Sequence, residues 1–543
     1  MAAVRSHHAD IVIVGAGIAG ALVAWRLARA GLRVLVLEAG SWVDRAEAVR
    51  HYHESPLKTP DAPYPPLAWA PRPTVLDLRN GHYVQDGPAT FGSTYERRVG
   101  GSTWHWLGAV LRFLPDDFRL HSRHGRGLDW PLDYATLEPW YQQAEEELGV
   151  AGDPDDDLDS PRSGPYPLPP IPPSVLDQRI AAAVAPLGLR VRSTPQARNS
   201  VPHGKRPACC GSSTCVPICP VGAKYDAAVH VRMAQQAGAE ILTEAVAHRI
   251  DVDSAGLVSG IAFLRPDGSE ELAQGRRYLL AAHAVETPRL LLMSRSERLP
   301  AGVANSSDQV GRNLMDHPAQ VSLALAEQPV WPYRGPGEIS GLEHMRDGSF
   351  RAQHAAFRVP IGNDGWSFGG ETPVSLAPLL QARGLRGAEL RAALKHYGQR
   401  QLRLAALLEQ LPQPDNRVQL AEQRDALGLP RPRLTYALDD YVLAGSAAAR
   451  RLADQVFTAL GVSERRHVDE LFGAGHIMGT TRMGADPRSS VTDSWGRCHD
   501  HRNLYIAGSS LFPTGGTANP TLTLAALALR TAAQLQTELV SGG

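Results

Sequence analysis

Cys209, Cys210, Cys215 and Cys219 fall within eleven residues, in a run that closes as C-x₃-C-P at Pro220. Thiolates this close together are the usual ligands of iron–sulfur clusters. Structural zinc normally takes a second, distant pair, and the one further cysteine, Cys498, stands alone. Zinc is therefore the second choice and a disulfide the third. Adjacent Cα atoms lie about 3.8 Å apart with their side chains diverging, so Cys209 and Cys210 are poorly placed to share one small cluster. The favoured ligand set is Cys209, Cys215 and Cys219, with Cys210 free or paired elsewhere.

A second chemistry is written in Gly15, Gly17 and Gly20, spaced G-x-G-x-x-G, with Glu38 after them. The first glycine permits a tight turn, the second lets a pyrophosphate approach the backbone, and the third lets a helix pack closely on a strand. Glu38 can accept the hydroxyls of an adenosine ribose, and an acid there disfavours a 2′-phosphate. The motif thus points to an ADP-containing dinucleotide, NAD or FAD. Downstream lies His476, in a glycine-rich stretch. Leu504–Ala507 then reads as a strand running into Gly508-Ser509 and a loop holding Asn519 and Pro520, before an apolar helix from Thr521 to about Leu535. Such a helix N-terminus presents partial positive charge to a ligand, which suits the charge that builds on a reduced flavin. Gly100-Gly101-Ser102-Thr103-Trp104-His105-Trp106 reads on its own as a buried glycine turn with core aromatics. Asp316-His317 reads as a hydrogen-bonded pair fixing a domain junction, because no nucleophile accompanies it.

The elements that position these groups follow from pattern. Ile11–Val14 is a β-branched run suited to a strand buried on both faces. A helix from about Ala19 to Ala30 and a second apolar strand, Val34–Leu37, complete the unit. Prolines between residues 56 and 73 impose extended surface or lid structure, and the acidic, then proline-rich residues 151–173 read as a solvated loop. Thr243–Val252, Gly260–Leu264 and Tyr278–Ala282 read as further strands, with a turn at Pro266-Asp267-Gly268 and a helix through Met293. From Ala319 the texture changes. Val321, Leu323 and Leu325 alternate as in a half-exposed strand, Arg417–Leu420 and Arg433–Leu438 read likewise, and a helix capped by Asp439 or Asp440 ends near Gly461.

The 543 residues exceed what one core usually holds. The formal charge of −1, with no basic stripe, argues against nucleic acid as a partner. No uncharged apolar run is long enough to span a membrane, and the first strand, beginning near Ile11, leaves no room for a signal peptide ahead of it.

Together, the glycine turn with Glu38, Gly100–Ser102, Thr287-Pro288, Gly311–Pro318, His476 and Gly508–Pro520 resemble the glucose–methanol–choline family of flavoprotein oxidoreductases. The cysteine run and Gly101–Trp106 narrow the resemblance to the FAD-bearing subunits of bacterial membrane-bound sugar and polyol dehydrogenases. The resemblance implies an α/β fold: a Rossmann-like FAD-binding domain from residues 1–318 and 467–543, carrying the cysteine loop 205–222, and an inserted α+β substrate-binding domain at 319–466. It implies His476 as catalytic base and Asn519 as holder of the substrate oxygen, where many relatives carry a second histidine. FAD contacts are expected at Gly15, Gly17, Ile18, Gly20, Glu38, Gly100, Gly101, Ser102, His105, Val246, Ala282, Gly508, Ser509, Asn519, Pro520 and Thr521. It also implies a 3Fe-4S cluster on the three cysteines and electron exit to a multihaem cytochrome c. A small subunit would carry the export signal and place the complex at the periplasmic face of the inner membrane, with Cys210 either a further ligand or an inter-subunit tether. An O₂-using oxidase, a non-redox flavin lyase and a cytoplasmic location are the alternatives. Two departures stand out: Gly211-Ser212-Ser213-Thr214 where close sugar-dehydrogenase relatives tend to carry asparagines, and Gly-Ala-Gly ahead of His476.

Overall fold

The computed structural model describes residues 5–56, 58–79, 81–367 and 371–541. Its first layer is a seven-stranded sheet built around β1 (Arg5–Val14), which feeds helix α1 (Ile18–Arg29) and returns as β2 (Val34–Leu37). β1 pairs in parallel with β2 on one side and with β3 (Glu270–Leu280) on the other, Val14 facing Leu37 and Leu280. Residues 11–13 are fully buried, as a strand covered on both faces requires. The strand Glu240–Leu242 extends the sheet beyond β2. On the other side β3 splits its edge. Its early residues pair antiparallel with Val258–Leu264, and its last three pair in parallel with Leu504–Ile506. The expected strand Tyr278–Ala282 is therefore the end of an eleven-residue strand whose first half is only part-buried, which hides it from an apolar pattern.

Helix α2 (His283–Met293) follows β3 directly. β4 (Pro318–Ala326) then begins the second layer. Here the structure corrects the sequence reading: β4 is buried along its whole length. Ala324 and Ala326 pack with Leu452 and Val456 of α3 (Asp440–Leu460), while Val321, Leu323 and Leu325 pack with Trp366. An alternating pattern reads as half-exposed only when nothing covers the second face. Asp439 caps α3 by accepting from the Val442 amide, and Gly461 ends it.

The second sheet runs Val462–His467, β4, Gln401–Leu408, Phe357–Gly362, Ser340–Leu342, Val191–Ser193. It is not the continuous block 319–466. It takes in Val191–Ser193 at its edge, and the helix Val175–Val184 joins its core. The hairpin Arg417–Arg424 with Pro430–Thr435 leaves it, pairing instead with Val84–Gln85 and packing Val418 and Leu434 against α2. Helix α4 (Thr521–Ser541) packs back on α1, so the last helix shares a core with the first.

Candidate functional site

The three motif glycines do three different things. Gly15 has a φ of +102°, and a Cβ there would sit 2.5 Å from the Ala281 carbonyl oxygen. At Gly20 a Cβ would lie 2.0 Å from the Gly15 carbonyl oxygen, so this glycine sets how closely α1 packs on the turn. At Gly17 an added Cβ would meet nothing within 4 Å, because the space beyond it is the cavity. The Glu38 carboxylate accepts from the Ala16 and Gly40 amides at 2.8 and 2.9 Å, which pins it facing the same cavity; burial raises its pKa. Gly100 donates its amide to the Ala16 carbonyl and starts the short 3₁₀ turn Gly101–Trp104. That turn brings Gly101 so close that a Cβ on it would lie 3.2 Å from the Gly17 Cα.

The cavity, about 460 Å³, runs from Gly15, Gly17, Ile18 and Glu38 past Gly101, Ser102, His105 and Ala282 to His476, Gly508, Ser509, Asn519, Pro520 and Thr521. Gly20 and Gly100 pack against protein atoms, and Val246 sits between Ala245 and Ala247, both of which line the cavity. A glutamate aimed into the cavity, a bare glycine backbone and the N-terminus of α1 are a donor set that fits ribose and pyrophosphate. The N-terminus of α4 lies at the far end of the same cavity.

At that far end His476 and Asn519 meet, with the Asn519 Nδ2 3.0 Å from His476 Nε2. Arg358, buried on the second sheet, donates to Asn519 Oδ1 at 3.0 Å and is paired with Glu343. A guanidinium on the oxygen fixes the amide with its N–H₂ toward His476, so Nε2 is the acceptor and His476 carries its proton on Nδ1. The next link agrees. His476 Nδ1 lies 2.8 Å from His317 Nδ1, and His317 Nε2 lies 3.3 Å from the Gly515 carbonyl. One chain of hydrogen bonds therefore runs Asn519, His476, His317, Gly515, with the Nε2 lone pair accepting from Asn519 where both residues line the cavity.

Asp316 holds both histidine backbones, accepting from the His317 amide at 2.7 Å and the His476 amide at 2.9 Å, with Ser93 on its other oxygen. Burial pushes its pKa up to about 6 against those hydrogen bonds. Burial also drives His317 down to about 4 and, with repulsion from His317 and Arg358, holds His476 well below 6.5. His317 and Arg358 are the residues that sequence reasoning missed. The pair Asp316-His317 was visible but looks structural until His476 is placed beside it, and nothing in the spacing of Arg358 marks it. Glu338 and Arg403, paired at 2.8 Å, also line the cavity and were not foreseen.

The cysteine loop abuts this cavity through Val216, which lines it. Cys215 and Cys219 are buried, Cys209 is half-buried, Cys210 is exposed, and none is in a disulfide. Among the described residues no three of these sulfurs come within 4.8 Å of one another, which is too open for a single ion. The charges of Cys215 and Cys219 act on Cys209, so the three thiols share one neighbourhood. The Gly211 amide points at Cys209 Sγ (3.4 Å) and the Lys224 amide at Cys219 Sγ (3.5 Å). Burial raises the Cys209 pKa. At Cys219 burial is outweighed by the Lys224 amide and charge and by Arg45, and the thiol sits below its usual value.

Family profiles described as GMC oxidoreductase match residues 9–319 and 412–528. The chain is 37% identical to the fructose dehydrogenase large subunit of Gluconobacter japonicus, over 98% of this chain and 99% of that protein. It is 30% identical to paromamine 6'-oxidase of Streptomyces fradiae (98% and 92%) and 23% identical to the gluconate 2-dehydrogenase flavoprotein of Pantoea cypripedii (95% and 92%). Among solved structures, pyridoxine 4-oxidase from "Mesorbium loti" superposes with a TM-score of 0.66 over 97% of this chain and 98% of its own, at 20% identity.

Proposed function

The chain belongs to the GMC oxidoreductase family, FAD-dependent enzymes acting on CH–OH donors, and from that premise we propose that it dehydrogenates a hydroxyl group of a sugar, polyol or sugar acid. The observation that carries this reading is the pairing of His476 and Asn519 at one end of a cavity whose other end is the glycine turn. Bound there, FAD supplies the hydride acceptor. The protein's part is to take the proton and hold the oxygen. His476 Nε2, unprotonated at the cavity wall, exchanges its Asn519 hydrogen bond for the substrate hydroxyl and accepts the hydroxyl proton as the carbinol hydrogen leaves as hydride. The Asn519 amide donates to the same oxygen, held in orientation by Arg358. His317 accepts from Nδ1 and steadies the imidazolium that forms.

Cys209, Cys215 and Cys219 would hold a 3Fe-4S cluster, and Val216 puts their loop in the cavity wall, which supports a short electron route away from FAD. A multihaem cytochrome c is the proposed acceptor. A small subunit carrying the export signal would place the pair at the periplasmic face, and exposed Cys210 is available as its tether. Among the described residues no helix is long and apolar enough to cross a membrane, so attachment falls to the partners.

Anaerobic addition of aldoses, ketoses, polyols and aldonates, read by flavin absorbance near 450 nm, tests the reading. Bleaching by at least one of them, absent in His476→Ala, is expected. No bleaching by any class overturns it. Stoichiometric peroxide with no iron in the protein would favour an oxidase instead.

A further inference from the structure

Arg198 and Lys224 face each other across an isolated antiparallel bridge. Directly opposed residues in such a pair put their side chains on the same face, where like charges repel. Both are buried, at 0% and 2% exposure. Arg198 donates through Nη2 to the Leu107 carbonyl at 2.6 Å, while its Nε and Nη1 have no partner among the described residues. Lys224 Nζ donates to the carbonyls of Trp104 (3.0 Å), Trp106 and Cys215 (2.7 Å), all neutral acceptors. Asp226, the acid within electrostatic reach of Lys224, is salt-bridged to Arg45. Two opposed, buried cations with no paired carboxylate among the described residues call for an anion between them.

The cysteines are what surrounds them. The Cys209 amide donates to Asn199, next to Arg198, and the Arg198 charge acts on the Cys209 sulfur. Lys224 offers its amide to Cys219 Sγ and its ammonium to the Cys215 carbonyl. We propose that Arg198 and Lys224 are the buried counter-charges of the cluster held by these three cysteines, and that they raise its reduction potential. The inference rests on the cluster reading given above. Three thiolates leave such a centre anionic when oxidised and more so when reduced, so a fixed cation favours the reduced form. The potential of an iron–sulfur centre responds to local charge and to hydrogen bonds on its sulfurs. Lys224 has a second consequence. Its ammonium ties the Cys215 turn to Trp104 and Trp106, on the segment that walls the flavin cavity, so it also fixes the two redox sites relative to each other.

The test uses the full chain, co-expressed with its partners, as wild type, Arg198→Met, Arg198→Lys and Lys224→Met. Iron and labile sulfide are counted per chain, and the cluster midpoint is measured by a redox titration followed by electron paramagnetic resonance. The expected result is a midpoint at least 59 mV more negative in Arg198→Met and in Lys224→Met, a tenfold change for a one-electron couple, with most of the shift recovered in Arg198→Lys. Loss of iron in Arg198→Met but not in Arg198→Lys would support the same role. An unchanged midpoint with iron retained, or loss of iron in both arginine variants, overturns it. Wild-type protein without iron would remove the cluster reading itself, an outcome separate from a cluster present but indifferent to Arg198.

Discussion

A histidine reads the same in a sequence whether it is a base, a support or filler, and His317 and His476 show why. His476 was legible because it stands in a glycine-rich stretch that resembles a known family. His317 was legible only as half of Asp316-His317, since its role depends on a 2.8 Å contact across more than a hundred and fifty residues of chain. His476→Ala is expected to lower kcat by roughly 10²–10⁴-fold, the usual worth of a positioned base, with flavin content unchanged. His317→Ala leaves the Nδ1 proton of His476 without its acceptor and frees the ring to change tautomer; kcat is expected to fall more than KM rises in steady-state assays. Because the base works unprotonated and its pKa is held well below 6.5 by burial, His317 and Arg358, the acid limb of kcat/KM is expected below pH 6.5. A limb at about pH 6.5 would show the imidazole to be solvated.

The elements around the nucleotide motif were legible because burial on both faces writes an unbroken apolar run, as in Ile11–Val14 and Val34–Leu37. Elements whose burial comes from distant partners were not. β4 looked half-exposed until α3 and Trp366 closed on its two faces, and Val191–Ser193 is too short and mixed to announce that it closes a sheet. The glycine motif offers a test at this scale, because Gly17 and Gly20 have different surroundings. Gly20→Ala drives a methyl into the Gly15 carbonyl, and overpacking of this kind costs about 1–3 kcal/mol. The expected result is a lower Tm even in flavin-free protein. Gly17→Ala meets no protein atom within 4 Å, so the apoprotein should melt like wild type while flavin occupancy, read as A450/A280, falls.

Across the whole molecule, the resemblance conveyed a FAD-binding domain with an inserted substrate-binding domain, but not that Val191–Ser193 joins the second sheet or that the hairpin 417–435 leaves it, because those exchanges are made by one short strand and one hairpin. Burial of ionisable groups also accumulates at this scale. His82, His283, His317 and His476 all sit below the ordinary histidine value, chiefly through burial, with His283 and His317 at about 4. The unfolded chain takes up these protons near pH 6.5 while the folded one does not, so stability is full above 6.5 and is lost as pH falls. The slope is about 1.4 kcal/mol per pH unit for each such histidine at most. Asp316, raised to about 6, works in the opposite direction between pH 6 and 4 and offsets one of the four. Urea melts at pH 7.5 and 5.5 should therefore show a clear loss at the lower value; equal midpoints would mean that these histidines are hydrated in solution. The packing of α4 on α1 carries one more consequence. On the ribosome, Gly15–Glu38 emerges long before Gly508–Thr521, so a nascent chain owns the adenosine end of its cavity but not the end that faces the base. Any ligand that needs both ends of the cavity must therefore wait until Gly508–Thr521 has emerged and α4 has packed on α1.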